Sequence, residues 1–243
     1  MLEAVVLARR SFKEWDEMIS LYSKEQGKIE LTARGTKKIV SKNSPFLEPF
    51  SCVHVGVVPG KDRQYITTTQ SIEYFSHIRK DFQKSLQAGF VTQWLESVVK
   101  PLEKNTQMYD TFLSWLHFIN EIPETKTVLV DALLLKMVSF LGFEPSLHEC
   151  IFCGRELQEE KMYFSFSSGG ILCQKDKLEH REEVVVPILL PTLLALRYIL
   201  NRSWREVVAF TTPELSIETH KIIYPYTVYA LEKDLGDWNR MLT

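Results

Sequence analysis

Three cysteines and an aspartate have the spacing of a zinc site built from two turns. Two residues separate Cys150 from Cys153, and two separate Cys173 from Asp176. A gap of two lets both side chains of a turn reach one ion, and two such turns complete a tetrahedron. Asp176 stands where a fourth cysteine would be usual, and a carboxylate oxygen is also a zinc ligand. The spacing therefore predicts a structural zinc site formed by these four residues.

Several alternatives for this site stay open on the sequence alone. His148 or His180 could supply the fourth ligand instead of Asp176, because both lie near the cysteines in the sequence. The missing cysteine could also mark a site that has lost its metal and is held by packing. A catalytic zinc is disfavoured, because a zinc deaminase needs His-x-Glu ahead of its cysteine turn. Here His148 and Glu149 are adjacent and lie directly before Cys150.

A second group of side chains could bind phosphates. The candidate nucleic-acid contacts are basic residues of the N-terminal region, with Lys13 beside them: Arg9, Arg10, Arg34, Lys37, Lys38 and Lys42. Such residues track a phosphate backbone while aromatic side chains stack on bases. The aromatic candidates for stacking are Phe12, Trp15, Tyr22, Phe46 and Tyr65. The alternative is a solvated lysine-rich loop with its aromatics in the core, since alternate strand residues face opposite ways.

The charge distribution supports a polyanionic partner near the N-terminus. The net charge is −2, but residues 1–80 hold 13 Lys+Arg against 9 Asp+Glu, a balance of +4. The remaining residues hold 16 against 22, a balance of −6. A mildly basic N-terminal third favours binding of a polyanion there.

The sequence excludes several other classes of protein. Neither a signal peptide nor a membrane segment is expected, because the N-terminal apolar run is short and prolines interrupt the longest one. Three of the four cysteines are candidate ligands, which favours reduced thiols and the cytoplasm. The chain has no GxxxxGK[ST], GxGxxG or GxSxG motif, so it is predicted not to be an enzyme.

The first 75 residues have the pattern of a small β-barrel. Five short apolar or alternating runs are predicted as strands: Ala4–Ala8, Met18–Ser23, Ile29–Ala33, Val53–Val58 and Gln64–Thr69. Residues 26–28 are predicted to form a hairpin turn, and residues 34–45 are predicted to form a mobile loop. Closure into a barrel would remove the exposed strand edges.

The period changes to that of helices after residue 74. Apolar residues at helical spacing predict helices over 82–98, 109–122, 127–141, 191–200 and 213–235, with Pro225 kinking or dividing the last one. The third of these should be the buried centre of a helical domain. The fold class is therefore α+β. The predicted domains are a barrel at residues 1–78 and a helical domain at residues 79–243, with a zinc-ribbon-like insert at 143–185.

These features resemble the RecO family of bacterial recombination and repair mediators. The matching segments in the N-terminal region are Ala4–Leu7 with Glu14–Asp16, Lys28–Gly35 with Lys37 and Lys38, and Leu47–Phe50. The most specific segments are Leu141–Pro145, Cys150–Gly154 and Phe164–Gly170. The last 60 residues match only in their helical character.

The resemblance implies an OB-fold barrel followed by a helical domain with a zinc-ribbon-like insert. It also implies binding of single- and double-stranded DNA, annealing of complementary strands, and help in loading recombinase onto strands coated by single-strand-binding protein. The implied partners are RecR and the C-terminal tail of that coat protein, and the implied location is the bacterial nucleoid. A rival hypothesis is a scaffold that docks protein partners and has little DNA affinity.

Overall fold

The computed structural model describes residues 1–157, 161–180, 184–234 and 236–238 of the 243-residue chain. The chain forms two compact units, Met1–Thr125 and Lys126–Thr243. The first compact unit contains the predicted barrel and the helices that follow it. It does not test the predicted domain boundary at residue 78, which stays a prediction. Among the described residues, no helix is long and apolar enough to cross a membrane.

A closed five-stranded barrel forms the core of the first unit. Its strands are β1 (Leu2–Ser11), β2 (Glu17–Ser23), β3 (Gly27–Ala33), β4 (Cys52–Pro59) and β5 (Gln64–Glu73), in the order β1-β2-β3-β5-β4. Neighbouring strands are antiparallel except β3 and β5, which run parallel. This OB-like barrel confirms the predicted fold class, and closure pairs every strand on both sides.

Alternation along the strands fills the barrel with aliphatic side chains. Ala4 and Val6 of β1, Ile19 and Leu21 of β2, and Leu31 of β3 are completely buried in one cluster. The hairpin between β2 and β3 is tight, and Gly27 adopts φ +72° there. A Cβ atom at this position would lie 2.1 Å from the carbonyl oxygen of Glu103. Only glycine fits this turn.

Three helices complete the first unit: α1 (Ser76–Lys80), α2 (Phe82–Val98) and α3 (Thr106–Glu121). The side chain of Asp81 accepts a hydrogen bond from the backbone N–H of Lys84 at the start of α2, and Asn105 caps α3 in the same way. Such caps satisfy backbone donors that a helix leaves free at its first turn. Helix α3 also contacts the barrel, because the Tyr109 hydroxyl donates to Glu3 at 3.1 Å.

The second unit is built around α4 (Val128–Phe140). Ten of its 13 residues are buried, as expected for the predicted central helix. It packs against three further helices, α6 (Leu190–Asn201), α7 (Trp204–Phe210) and α8 (Pro213–Leu231). Helix α7 is not among the predicted helices, although Ser203 and Glu206 form a capping box at its start.

A small sheet is inserted in the sequence between α4 and α6. Its strands are β6 (Ser146–Cys150), β7 (Met162–Ser165), β8 (Gly170–Cys173) and β9 (Val185–Ile188), in the order β6-β8-β7-β9. A short helix, α5 (Gln174–Glu179), follows β8. This sheet with its two cysteine turns is the predicted ribbon-like insert.

Of the two predicted effects of Pro225 on the last helix, a kink or a division, the division does not occur. Pro225 lies inside the helix and does not divide it. Proline removes one backbone hydrogen bond from a helix interior, and burial of Ile222, Ile223 and Tyr226 around it offsets that loss. Leu235, the predicted end of the helix, lies outside the described residues.

A buried ionic network joins α4 to the C-terminal segment. The imidazole of His220 is hydrogen-bonded through Nδ1 to Asp131 Oδ1 at 2.8 Å and through Nε2 to Asp237 Oδ1 at 3.0 Å. The indole Nε1 of Trp238 donates to the same Asp131 oxygen at 2.7 Å. Burial alone would lower the pKa of His220, but the bonds and charges of the two aspartates outweigh it and raise the pKa above 6.5.

This network should make the stability of the second unit depend on pH. A raised histidine pKa contributes stability that is complete below about pH 6.5 and is lost as pH rises through the folded-state value. We therefore expect the free energy of unfolding to fall as the pH rises above about 6.5 and through the folded-state pKa of His220. Urea unfolding at a series of pH values measures this fall, and His220→Gln should abolish it. A fall of the same size in His220→Gln would contradict the assignment.

Candidate metal centre and nucleic-acid interface

Two tight turns position the three cysteines of the insert. Cys150 is the last residue of β6, and its carbonyl oxygen accepts a hydrogen bond from Gly154 N at 2.8 Å. This bond closes the turn that carries Cys153, and Gly154 adopts φ +67° within it. Cys173 is the last residue of β8 and the N-cap of α5. Strand pairing of β6 with β8 therefore brings the two turns together.

The four predicted ligands converge. One donor atom each from Cys150, Cys153, Cys173 and Asp176 lies within 4.8 Å of all the others. The sulfurs of Cys153 and Cys173 are 4.0 Å apart, close to the roughly 3.8 Å between two thiolates on one tetrahedral zinc ion. Asp176 Oδ2 lies 2.9 Å from the sulfur of Cys150 and 3.1 Å from that of Cys173. These four side chains together could hold a metal ion.

Backbone N–H groups and the carboxylate of Asp176 both contact the sulfurs of the cluster. The backbone N–H of Cys173 points at the sulfur of Cys150 at 3.4 Å, and that of Asp176 points at the sulfur of Cys173 at 3.5 Å. Backbone donors of this kind stabilise a thiolate. Hydrogen bonds from the thiols of Cys150, Cys153 and Cys173 lower the pKa of Asp176 to about 2, and the bond to Asp176 raises the pKa of the Cys153 thiol to about 12. A cation bound by all four side chains would replace the thiol protons. The residues present thus fit a cation with thiolate and carboxylate ligands.

The two candidate histidines lie outside this cluster in the described structure. The imidazole of His180 stacks on the ring of Phe152, with centroids 3.7 Å apart and planes 8° from parallel. His148 is exposed on β6, between buried Leu147 and buried Cys150. Asp176, and neither histidine, completes the group of converging donors.

Basic and aromatic side chains meet at one end of the barrel. The Arg34 guanidinium lies 4.0 Å from the ring centroid of Tyr65, and that of Arg63 lies 4.2 Å from the centroid of Phe12. The backbone N–H of Lys37 donates to the carbonyl oxygen of Trp15 at 3.2 Å. These contacts join the β1–β2 turn, the end of β3 and the β4–β5 turn. We call this group the arginine–aromatic surface: Phe12, Trp15, Arg34, Arg63 and Tyr65.

The loop after β3 carries the remaining predicted cations. We call residues 34–43 the basic loop. Lys38 and Lys42 are exposed, and Lys37 Nζ donates to the carbonyl oxygen of Lys13 at 2.9 Å. The structure therefore places Arg34, Lys37, Lys38 and Lys42 on one loop beside the arginine–aromatic surface.

The two upstream arginines have different surroundings. Arg9 is largely buried and pairs with Glu17 at 2.7 Å and Glu48 at 2.5 Å. Arg10 is half exposed and pairs with Glu96 at 2.8 Å and, more weakly, with Glu30 at 3.4 Å. These pairs tie β1 to other parts of the first unit, so both arginines already have carboxylate partners.

The five aromatic candidates for stacking divide between surface and core. Tyr22 is fully buried, and Phe46 packs against the barrel core. Phe12 and Tyr65 are half-buried beneath guanidinium groups, and Trp15 is 48% exposed. Phe12, Trp15 and Tyr65 therefore lie beside the cations, where a ligand could reach them. Arg63 is not among the predicted cations, because nothing in the sequence places the β4–β5 turn beside Phe12.

Two family models match the chain and together span most of it. The model described as recombination protein O N terminal matches residues 1–75. The model described as recombination protein O C terminal matches residues 79–239. The chain belongs to the RecO family. The resemblance found in the barrel and cysteine segments is thereby confirmed.

RecO-family relatives match the chain over nearly its whole length. The DNA repair protein RecO of Caldanaerobacter subterraneus subsp. tengcongensis is 27% identical over 96% of this chain and 93% of its own length. That of Desulforamulus reducens is 28% identical over 96% of this chain and 90% of its own. That of Thermoanaerobacter sp. is 27% identical over 95% and 92%. This RecO-family chain is therefore a DNA repair protein.

Proposed function

We propose that the chain binds DNA through the barrel, anneals complementary single strands, and helps to load recombinase onto strands coated by single-strand-binding protein. The observation that carries this proposal is the basic loop beside the arginine–aromatic surface. The Lys and Arg side chains of the loop suit phosphates, and the exposed Trp15 with the half-buried Phe12 and Tyr65 suits bases. The repair role of the family supports the same conclusion.

The physical basis of annealing would be neutralisation of phosphate charge. Two complementary strands repel each other, and each cation of the basic loop that contacts a phosphate releases condensed counterions. Arg34, Lys37, Lys38 and Lys42 supply the main contacts in this proposal. Arg9 and Arg10 contribute less, because carboxylates already pair with both.

The remaining roles follow from the same proposal. The chain acts as a mediator without catalysing a reaction, and its protein partners are RecR and the C-terminal tail of single-strand-binding protein. It works in the cytoplasm, at the nucleoid. The resemblance to the RecO family supports these partners and this location.

We further propose that the cysteine cluster holds a structural zinc ion. Cys150, Cys153, Cys173 and Asp176 would be its ligands, and the ion would fasten β6 to β8 and α5. With four protein ligands, no position would stay open for substrate. The convergence of their donor atoms within 4.8 Å supports this role.

A salt titration of DNA binding tests the proposed function. The full chain should bind a fluorescent single-stranded oligonucleotide with an affinity that falls linearly with salt concentration on logarithmic axes. It should also speed the pairing of two complementary strands. No saturable binding at low salt would refute the DNA-binding proposal.

The acidic part of the chain favours the rival hypothesis, in which the protein is a scaffold that docks protein partners. Residues after 80 carry a balance of −6, which disfavours DNA contacts there. A scaffold would bind RecR in a pull-down yet show no saturable DNA binding in the salt titration. That pair of results would favour the scaffold.

A further inference from the structure

Two neighbouring aliphatic side chains stand fully in solvent on the basic loop. Ile39 has an exposure of 103% and Val40 of 83%. Single exposed aliphatics are common on protein surfaces. An adjacent pair at a loop tip is different, because both side chains would gain free energy by leaving water. The pair is therefore a candidate contact for a bound partner.

Hydrogen bonds fix the loop on both sides of this pair. On one side, Gly35 N donates to Asp16 Oδ1 at 2.9 Å. On the other, Thr69 N donates to Asn43 Oδ1 at 3.2 Å. Across the tip itself, Ser41 N donates to the carbonyl oxygen of Lys38 at 2.9 Å. The tip is thus a closed turn that holds Ile39 and Val40 away from the barrel.

The charges around the tip indicate which kind of ligand Ile39 and Val40 contact. Lys37 and Lys38 precede Ile39 directly, and Lys42 follows Val40 after one residue. No acidic residue lies between positions 31 and 47 of the chain. A ligand that reaches the two aliphatics would therefore also face the exposed ammonium groups of Lys38 and Lys42, with Lys37 held nearby by the carbonyl oxygen of Lys13. Duplex DNA offers partners for both kinds of side chain. Its phosphates attract the ammonium groups, and the apolar faces of its stacked base pairs suit the aliphatic side chains.

We propose that Ile39 and Val40 form an apolar wedge that enters a base step of bound duplex DNA and unstacks it. The inference rests on the proposed DNA binding and adds a contact that the cations cannot make. Aliphatic side chains serve as wedges in this way, and the surrounding cations hold the phosphates on either side. Pyrimidine–purine steps such as TA are the easiest to open. The wedge would loosen a duplex locally and leave bases free to pair with another strand.

Fluorescence of 2-aminopurine measures this unstacking directly. The probe is a short duplex with one 2-aminopurine beside a central TA step, mixed with the full wild-type chain at saturation. Stacking quenches this base, so we expect its emission to rise at least about twofold on binding. The variant Ile39→Ser/Val40→Ser should abolish the rise. Its salt slope should stay unchanged, because no charge is altered.

Two further variants serve as controls. Ile39→Leu/Val40→Leu keeps two exposed aliphatic side chains and should retain the rise. Ile72→Ser/Phe82→Ser removes two other exposed apolar residues of the same unit, at 44% and 74% exposure. This second control should behave as the wild type. Circular dichroism of each variant checks that the fold is intact.

The possible results separate failure of the wedge from failure of the proposed function. Saturable binding with the normal salt slope but no rise in emission would overturn the wedge and leave DNA binding standing. Absence of duplex binding would overturn the wedge, and absence of single-strand binding in the salt titration as well would overturn the proposed function. Binding of the wild type to phosphatidylserine vesicles that the serine variant loses, without any rise on DNA, would assign the pair to a lipid surface and also overturn the wedge.

Discussion

Wild-type protein should purify with about one zinc ion per chain, and Cys150→Ser should purify with almost none. Cys150 is 1% exposed, and its sulfur lies between the backbone N–H of Cys173 and the carboxylate of Asp176. Serine oxygen does not bind zinc as a thiolate does, so only two thiolates and one carboxylate would remain. The zinc ion would then no longer connect β6 to β8 in the small sheet. Elemental analysis of the purified proteins measures the metal content.

Loss of the zinc ion in Cys150→Ser should strongly destabilise the insert. Structural zinc contributes about 10–16 kcal/mol of apparent binding free energy in zinc-finger peptides near neutral pH. Here the helices α4, α6, α7 and α8 also stabilise the unit, so unfolding should be confined to the insert. Limited proteolysis should cut Cys150→Ser between β6 and β9, and a chelator should make the wild type equally sensitive.

Substitutions at Asp176 test its role as fourth ligand. Asp176→Ala should lower the metal affinity without abolishing it, because three thiolates remain. Asp176→Cys should raise the affinity above that of the wild type by restoring the usual four cysteines. His180→Ala is the matched control and should keep its metal, since His180 stacks on Phe152 instead of joining the cluster. Metal lost in His180→Ala but kept in Asp176→Ala would reassign the fourth ligand. Zinc-free wild-type protein would refute the site.

The sequence predicts the barrel and the cysteine cluster well because both are encoded locally. Alternation in strands such as β2 sets which residues enter the core, and the two-residue gaps within each turn set which side chains can share an ion. The choice between Asp176 and the two histidines is different. It depends on the pairing of β6 with β8 and on the start of α5, and neither can be inferred from spacing.

Long-range contacts account for most of what could not be predicted from the sequence. Arg63 reaches Phe12 across 51 positions of the chain, and His220 reaches Asp131 across 89. The sequence pattern of a single helix or strand cannot predict a contact between residues so far apart in the chain. The prediction that Pro225 kinks or divides the last helix rests on local propensity, and tertiary burial of its neighbours keeps the helix undivided. The aliphatic pair at positions 39 and 40 is visible in the sequence, but only the structure shows it in solvent.

The four cations of the basic loop should supply much of the affinity for single-stranded DNA. The variant with alanine at positions 34, 37, 38 and 42 should bind single-stranded DNA about 10²–10³-fold more weakly near 0.1 M salt if all four contact phosphates. Each cation that no longer neutralises a phosphate of the single strand should also reduce the slope of log affinity against log salt by about 0.7. The slope should therefore become shallower by up to about 2.8 for the four cations together. Fluorescence anisotropy over a series of salt concentrations gives both quantities.

A second quadruple variant separates local contacts from net charge. Alanine at four exposed lysines elsewhere makes the same change in charge: Lys80, Lys100, Lys104 and Lys126. Its slope should equal that of the wild type, because counterions are released only where side chains meet phosphates. An equal decrease in affinity in both variants would mean that general attraction, and no defined interface, drives binding. An unchanged slope in the basic-loop variant would place the DNA on another surface of the chain. A shallower slope in that variant alone would assign the phosphate contacts to the loop that carries Ile39 and Val40.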